Sequence, residues 1–444
     1  MFVMAEAVFH FPPDFQWGVA VSSHQVEGHN TNNQWWAWEH QEGRIAAGHR
    51  SGAACNWWMS AEDDLDRAAA MGLNTVRLSI EWSRVEVSPG RIDLAALDRY
   101  RELLQGLRDR GIVPMVTLHH FTNPLWLEEQ GGWLNSNAIA YFTRYVEQVV
   151  QALGEYTDLW CTINEPNVYA SLGYVTGSHP PGIKSLKSAA LVLKHMLRAH
   201  GAAYDVLHRA QEEARVGLAH NLRLFDPARP SRLLDRAAAW ARDLWFNQTT
   251  LTALKGGWWL PPLGFGPAFA VRRKLDWIGL NYYTRDMIEY DRHAEEPGLG
   301  VTRHPDDAEL LDGGYGELYP EGLARALRRI ARLGIPIHIT ENGIPDSDDD
   351  QRPAAILLHL HQTWRVLQQN VPVMSYYHWT LVDNFEWNEG WTMPFGLIEL
   401  DPESQERAPR PSADLYAAIA KSNAITPELI HAYAPQLRSR LLPD

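Results

Sequence analysis

Cysteine is scarce in this chain of 444 residues: only Cys55 and Cys161 occur. Two cysteines cannot build a disulfide-rich scaffold or a four-cysteine zinc site, so both are expected as free thiols. No run of about 18 apolar residues appears, so no membrane span is expected. The opening Met1-Phe2-Val3-Met4-Ala5-Glu6 lacks the basic stretch and apolar core of a secretory signal. No glycine-rich phosphate loop follows an early strand, which argues against a dinucleotide fold. Basic residues are outnumbered, 40 against 54 acidic ones, giving a net charge of −14. A nucleic-acid surface is therefore not expected. These absences describe a soluble cytoplasmic protein without membrane or nucleic-acid partners, and they leave the oligomeric state open.

What is present is a folded composition, 45% hydrophobic and 21% charged, with 19 Trp, 16 Tyr and 12 Phe. Many aromatics suit a core, but several stand beside carboxylates or amides, as in the wall of a polar-ligand site. Short apolar segments alternate with longer amphipathic ones. Strands are expected at 15–20, 74–80, 112–118, 157–163, 215–219, 276–280, 335–339 and 372–377. Helices are expected between them: Leu94, Leu97, Leu104 and Leu107 mark one face, and 138–153 and 186–210 give two more. Eight such strands predict an α/β fold, a (β/α)8 barrel forming a single catalytic domain over residues 9–444 with extended βα loops. The polar stretch 291–311 reads as an excursion between the sixth and seventh strands. Residues 346–352 read as a solvated charged loop.

Polar residues gather where these strands end. Gln25 and Glu27 follow the first, Arg77 and Glu81 mark the second, and His119 and His120 end the third. Asn164 and Glu165 end the fourth, Asn281 and Tyr283 the sixth, and Glu341 and Asn342 the seventh. Trp379 ends the eighth, with Glu386 and Trp387 in its loop. In a barrel this is the catalytic face. Two carboxylates across one pocket can cleave a glycosidic bond, one protonating the leaving oxygen and one attacking the anomeric carbon or activating water. Arg77 is suited to orient a nucleophilic carboxylate and favour its charge.

The other candidates are weaker. His119-His120 has no third ligand at compatible spacing, and neighbouring strand residues face opposite ways, so no metal is expected. The acidic run 346–350 lacks the spacing of a calcium loop. His359 and His361 sit in a helical segment, solvent-facing or packed. The pairs Trp35-Trp36 and Trp57-Trp58 either rim the entrance or pack the long first loop.

Five separated motifs carry a resemblance. Phe15-Gln16-Trp17-Gly18 with Gln25-Val26-Glu27-Gly28, Thr162-Ile163-Asn164-Glu165-Pro166 and Ile339-Thr340-Glu341-Asn342-Gly343 resemble signatures of glycoside hydrolase family 1. So do Trp379 to Trp387 and Phe395-Gly396-Leu397, and the motifs run in family order over residues 11–416. The resemblance implies a retaining exo-β-glycosidase needing no cofactor, with Glu165 as acid/base and Glu341 as nucleophile. Their carboxyl groups are then expected about 5–5.5 Å apart. It further implies that Gln25, His120, Asn164, Glu386 and Trp387 contact sugar hydroxyls, with Trp379 as the aromatic floor. Arg77, Asn281 and Tyr283 become supports of the nucleophile and sugar.

One departure stands out. Phe121 occupies a place commonly held by Trp, so one indole donor is missing; either glycone preference broadens or Phe121 simply packs. Trp126, Phe395, Trp133 and Trp258-Trp259 are candidates for the aglycone side or for loop packing, Trp126 first.

The substrate expected is a small carbohydrate or an aryl or alkyl β-glycoside, β-D-glucosides first and galactosides or fucosides next. Alternatives are a transglycosylase sharing the intermediate, a phospho-β-glycosidase, or a non-catalytic carbohydrate-binding protein. An anionic Glu386 and an uncharged Met393 speak against the phosphate version.

Overall fold

The computed structural model describes residues 7–294 and 300–442. Eight parallel strands close into a barrel: β1 (Gln16–Ala20), β2 (Thr75–Ser79), β3 (Val113–Thr117), β4 (Leu159–Asn164), β5 (Arg215–Asn221), β6 (Trp277–Asn281), β7 (Ile337–Asn342) and β8 (Val373–His378). Each pairs with its successor, and β8 closes on β1 in parallel through Ser375 and Gln16. All eight expected strands are present. Every residue of β2, β4, β6 and β7 is buried, because helices cover the outside and side chains fill the inside. That double burial makes the strands read as continuous apolar runs rather than alternating ones. Gly217 in β5 leaves room inside the barrel, where an added Cβ would fall 2.3 Å from the Trp277 ring.

The covering helices include α1 (Glu62–Ala70), α2 (Leu94–Asp109), α3 (Ala138–Leu153), α4 (Leu186–Ala210), α5 (Leu233–Asp243), α6 (Thr249–Gly256), α7 (Pro320–Ile330), α8 (Arg352–Leu367) and α9 (Pro411–Ser422). The side chain of Asp93 accepts from the Ala95 and Ala96 amides at 2.9 and 3.2 Å, satisfying two amides that α2 cannot pair itself. The buried stripe of α2, Leu97, Tyr100, Leu104 and Leu107, then follows the helical period against the barrel.

Three expectations change. The excursion after β6 contains a strand, Gly300–Arg303, antiparallel to Arg285–Tyr290, which also pairs with Leu224–Pro227; residues 295–299 lie outside the described residues. The acidic loop is not simply solvated. The buried carboxylate of Asp346 accepts from the amides of Gln351 and Arg352 at 3.0 and 2.7 Å and so caps α8. Asp349, also buried, pairs with Arg352 and takes the Ser412 amide and hydroxyl, both at 2.7 Å. Asp346, Asp348 and Asp350 bring one oxygen each within 4.8 Å of one another, but Asp346 is already committed to the helix.

Trp126 is the third change. It is buried on Trp82 and Tyr141, with its indole N–H on the Glu86 carbonyl at 2.9 Å. His359 packs on Tyr282, and His361 on Phe9 and Trp364. Cys55 and Cys161 are buried free thiols. Among the described residues no helix is long and apolar enough to cross a membrane.

Gly343, just past β7, ties two strand ends together: an added Cβ would sit 2.0 Å from the Trp379 carbonyl oxygen. Neither backbone segment can retreat without moving Glu341 or Trp379. Gly343→Ala is therefore expected to destabilise the fold by about 2–3 kcal/mol and to cut activity more than stability. Thermal unfolding and steady-state kinetics together check this; wild-type values in both would contradict the account.

Candidate active site

Glu165 stands at the end of β4, where the chain turns into a short helix with Pro166 in its first turn. Its backbone is left-handed, φ 45° and ψ 58°, a conformation a glutamate rarely adopts. The Glu165 amide donates to the Ala219 carbonyl at 2.8 Å, so the neighbouring strand holds the turn in place. Phe121 and Trp387, also at the mouth, have positive φ as well, 67° and 52°.

Glu341, near the end of β7, meets Glu165 across a cavity of about 390 Å³ at the carboxyl ends of the strands. The Nη1 of Arg77 donates to Glu341 Oε1 at 2.5 Å, and the Tyr283 hydroxyl donates to Oε2 at 2.7 Å. Glu165 has a different set of partners. Asn281 and Asn221 amides donate to its Oε1 at 2.7 and 2.8 Å, and no cation among the described residues pairs with it. Burial, and next the charge of Glu341, push its pKa up to about 8. Burial also raises Glu341, but Arg77 and Tyr283 oppose that rise directly. The pair thus has one neutral-leaning and one charge-supporting member, the division that acid and nucleophile roles require.

The expected residues divide in two. His120, Tyr283, Trp379, Glu386, Trp387 and Phe121 line the cavity with the two glutamates. Gln25, Asn164, Asn281 and Arg77 are fully buried behind it. The Gln25 amide donates to Glu386 Oε2 at 3.0 Å and to Asn384 Oδ1 at 3.1 Å. Asn164 Oδ1 accepts from Arg77 and Asn281 at 2.6 and 3.1 Å, while its amide donates to His120 Nε2 at 3.0 Å. That bond leaves the ring hydrogen on Nδ1, which has no partner among the described residues. Burial, then Arg77, keep His120 neutral, its pKa well below the usual range. A neutral imidazole with an unmatched donor is suited to a hydroxyl.

Glu386 departs from expectation. Burial, then Glu341, push it up to about 8, so it is largely protonated at neutral pH rather than anionic. Phe395 does not line the cavity; it packs behind Tyr283 and Tyr315 at 6.0 and 5.2 Å. Trp126 and Trp133 are core, and Trp258-Trp259 pairs with Gly266-Pro267 elsewhere. Trp35 buttresses Trp387 from behind at 4.7 Å. Of the other strand-end polar residues, Glu27 pairs with Arg84, Glu81 takes the Ser23, Ser83 and Thr122 hydroxyls, and His119 bonds Asn123.

Asn221 escaped the sequence reading, although it is the polar end of the fifth strand. The strand continues two residues past Ala219, through His220, so the pattern of strand ends would have found it. His179 and Tyr315 also line the cavity but come from loops that carry no periodic signal.

The profile of glycosyl hydrolase family 1 matches residues 8–425. A β-galactosidase of Pyrococcus woesei is 31% identical, over 94% of this chain and 98% of its own. β-Glucosidase A of Acetivibrio thermocellus is 32% identical, over 93% and 98%. Among solved structures, a β-glycosidase from Pyrococcus horikoshii superposes with a TM-score of 0.89 at 36% identity, covering 96% of this chain and 98% of that one. A Thermotoga maritima β-glucosidase, solved in complex with glucoimidazole, gives 0.89 at 28%, covering 94% and 100%. The chain belongs to glycosyl hydrolase family 1. It is a retaining β-glycosidase, hydrolysing by the double displacement general to that family.

The amide donors of Asn221 and Asn281 favour the charged form of Glu165. Asn221→Ala should therefore raise its pKa further, by about one unit for one charge-assisted bond. Carbon-13 NMR titration of the glutamate carboxyls checks the direction; a fall would mean that the amide is not donating to the carboxylate.

Proposed function

We propose that Glu165 is the acid/base and Glu341 the nucleophile, that β-D-glucosides are cleaved first, with galactosides or fucosides next, and that residues 9–444 act as one catalytic domain. The reading is carried by the unequal partners of the two carboxyls. Glu341 has a guanidinium and a phenol, which support a charged nucleophile. Glu165 has deep burial and the neighbouring Glu341 charge, which hold its proton for the leaving oxygen against the opposing pull of two amides. Once Glu341 is glycosylated its charge is gone, and Glu165 can ionise and activate water.

Hydroxyl recognition falls to Glu386, with Gln25 fixed beside it, and to His120, while Trp379 lies under the sugar ring. The stacking of His120 on Trp379, 5.9 Å and 25° apart, supports a single wall with polar edge and aromatic face. A 6-phosphorylated glycone is disfavoured because Glu386 and Glu389 line the cavity beside the uncharged Asn388 and Met393, and Arg223, which also lines it, is paired with Asp286 at 3.3 Å. A cytoplasmic location is part of the proposal, supported by two buried, unpaired thiols.

Glu341→Ala should abolish hydrolysis of every glycoside. Glu165→Ala should still be glycosylated by a 2,4-dinitrophenyl β-glucoside, whose leaving group needs little protonation, and should then accumulate the intermediate. Azide should rescue Glu165→Ala with the β-glycosyl azide and Glu341→Ala with the α-azide. The reverse pairing would exchange the two roles, and full activity in both variants would remove them from the chemistry. In the wild type, kcat/KM for an unactivated glucoside should fall as pH rises through about 8, where Glu165 loses its proton. A rate that held constant well above that pH would deny Glu165 the acid role.

A further inference from the structure

A second and larger cavity, about 1300 Å³, lies far from the chemistry. Leu275 and Ile335, which line it, lie just ahead of β6 (Trp277–Asn281) and β7 (Ile337–Asn342), so it opens beside the amino-terminal ends of those strands. The catalytic carboxyls are at the opposite ends. Leu251 and Leu254 of α6 add to an apolar floor, and the rim is cationic.

Seven cations and a single carboxylate, Asp243, line this cavity in a protein of net charge −14. Two of the seven are accounted for. Arg329 forms a two-pronged pair with Asp243 at 2.5 and 2.9 Å, and Arg325 does the same with Asp226 at 2.6 and 2.7 Å. The remaining five, Lys255, Arg272, Arg273, Arg328 and Arg332, face no carboxylate among the described residues. Arg328 donates only to the Gln369 side-chain oxygen at 2.9 Å, and Lys255 only to the Arg332 carbonyl. Arg272, Arg273 and Arg332 have no side-chain partner at all among the described residues.

Solvated surface arginines are common, but this set is costly in two ways. Charges around one cavity of this size lie within one or two Debye lengths, about 8 Å at physiological ionic strength, so they repel one another. The carboxyl ends of α6 and α7 point here and offer compensation, yet each carries only about half a negative charge. Arg273 also holds a left-handed backbone, φ 57°, while its amide donates to the Leu254 carbonyl at 2.9 Å. Gly257, at the end of α6, leaves the space that the Arg272 side chain occupies; an added Cβ would fall 2.6 Å from it. The glycosidase chemistry uses none of these residues.

We propose that this groove is a binding site for a multivalent oxyanion of the oligophosphate class, free or carried on a nucleoside. Guanidinium forks match phosphate oxygens two at a time, and several such groups converging from separate segments suit a compact, highly charged anion. A monovalent anion would leave most of the repulsion in place. The apolar floor gives a nucleoside somewhere to lie.

The test is calorimetric titration of the full chain with inorganic triphosphate, at low and high salt. One site is expected, weakened about tenfold or more by high salt and again by the double substitution Arg272→Gln with Arg332→Gln. Both residues are exposed, so the variant should keep its hydrolytic activity, which also reports that it is folded. Orthophosphate should bind much more weakly. Tighter binding of adenosine triphosphate than of triphosphate would support the nucleoside-borne form, and equal affinity the bare one. The proposal is overturned if triphosphate fails to bind, if the double variant binds it equally well, or if orthophosphate matches it. It is equally overturned if only an acidic polypeptide such as polyglutamate binds the groove.

Discussion

The site depends on one buried guanidinium. Arg77, on β2, reaches across the barrel mouth and spends its donors on three other strands: Thr117 of β3 at 3.1 Å, Asn164 of β4 at 2.6 Å, and the Thr340 carbonyl and Glu341 of β7 at 3.2 and 2.5 Å. A charge taken fully out of water is tolerated only when its partners are charged or well aligned. Here the carboxylate partner is Glu341, the nucleophile of the proposed reading. The same bond that settles Arg77 therefore orients Glu341, and through Asn164 it fixes His120 and Asn281 as well.

That arrangement leaves an imbalance. Glu165, Glu341 and Glu386 share one pocket, with Arg77 the fully buried cation behind it among the described residues, and all three are raised by desolvation. Glutamates in an unfolded chain ionise near 4.5, whereas Glu165 and Glu386 hold their protons to about 8. The folded state thus binds more protons than the unfolded one across that window. Stability contributed by these groups is intact below about 4.5 and declines as pH rises to about 8. On the proposed roles this penalty has a use, because a carboxyl that ionised easily could not protonate a departing alkoxide. The strain at Glu165 has the same character: the left-handed turn is unfavourable locally and is maintained by the amide bond to β5.

Much of this was legible in the residues. The eight strands announced themselves because burial on both faces removes polar residues from them, and the interruptions are helices with an apolar stripe. The candidate carboxyls were legible because they directly follow such strands, where a barrel directs its side chains into one mouth. Trp126 was misplaced because an indole beside a loop has the same sequence context whether it faces a ligand or a backbone carbonyl. Asp346 was misread because a capping carboxylate and a solvated one look alike until the helix that it caps is docked. Glu386 was taken as charged because its environment is assembled from its own loop, from Glu341 of β7 and from Gln25 after β1, the last of them 361 residues away in the chain.

The sequence by itself determined the order and number of barrel strands, the two glutamates and the family to which they belong, because these follow from local burial and short contiguous motifs. The tertiary structure alone decided which polar residues touch the cavity and which stand behind it, and which carboxyls hold protons. It also decided where six arginines and one lysine meet around one groove. Those outcomes depend on distances and on shared exclusion of water between segments remote in the chain, and neither quantity is a property of any segment taken alone.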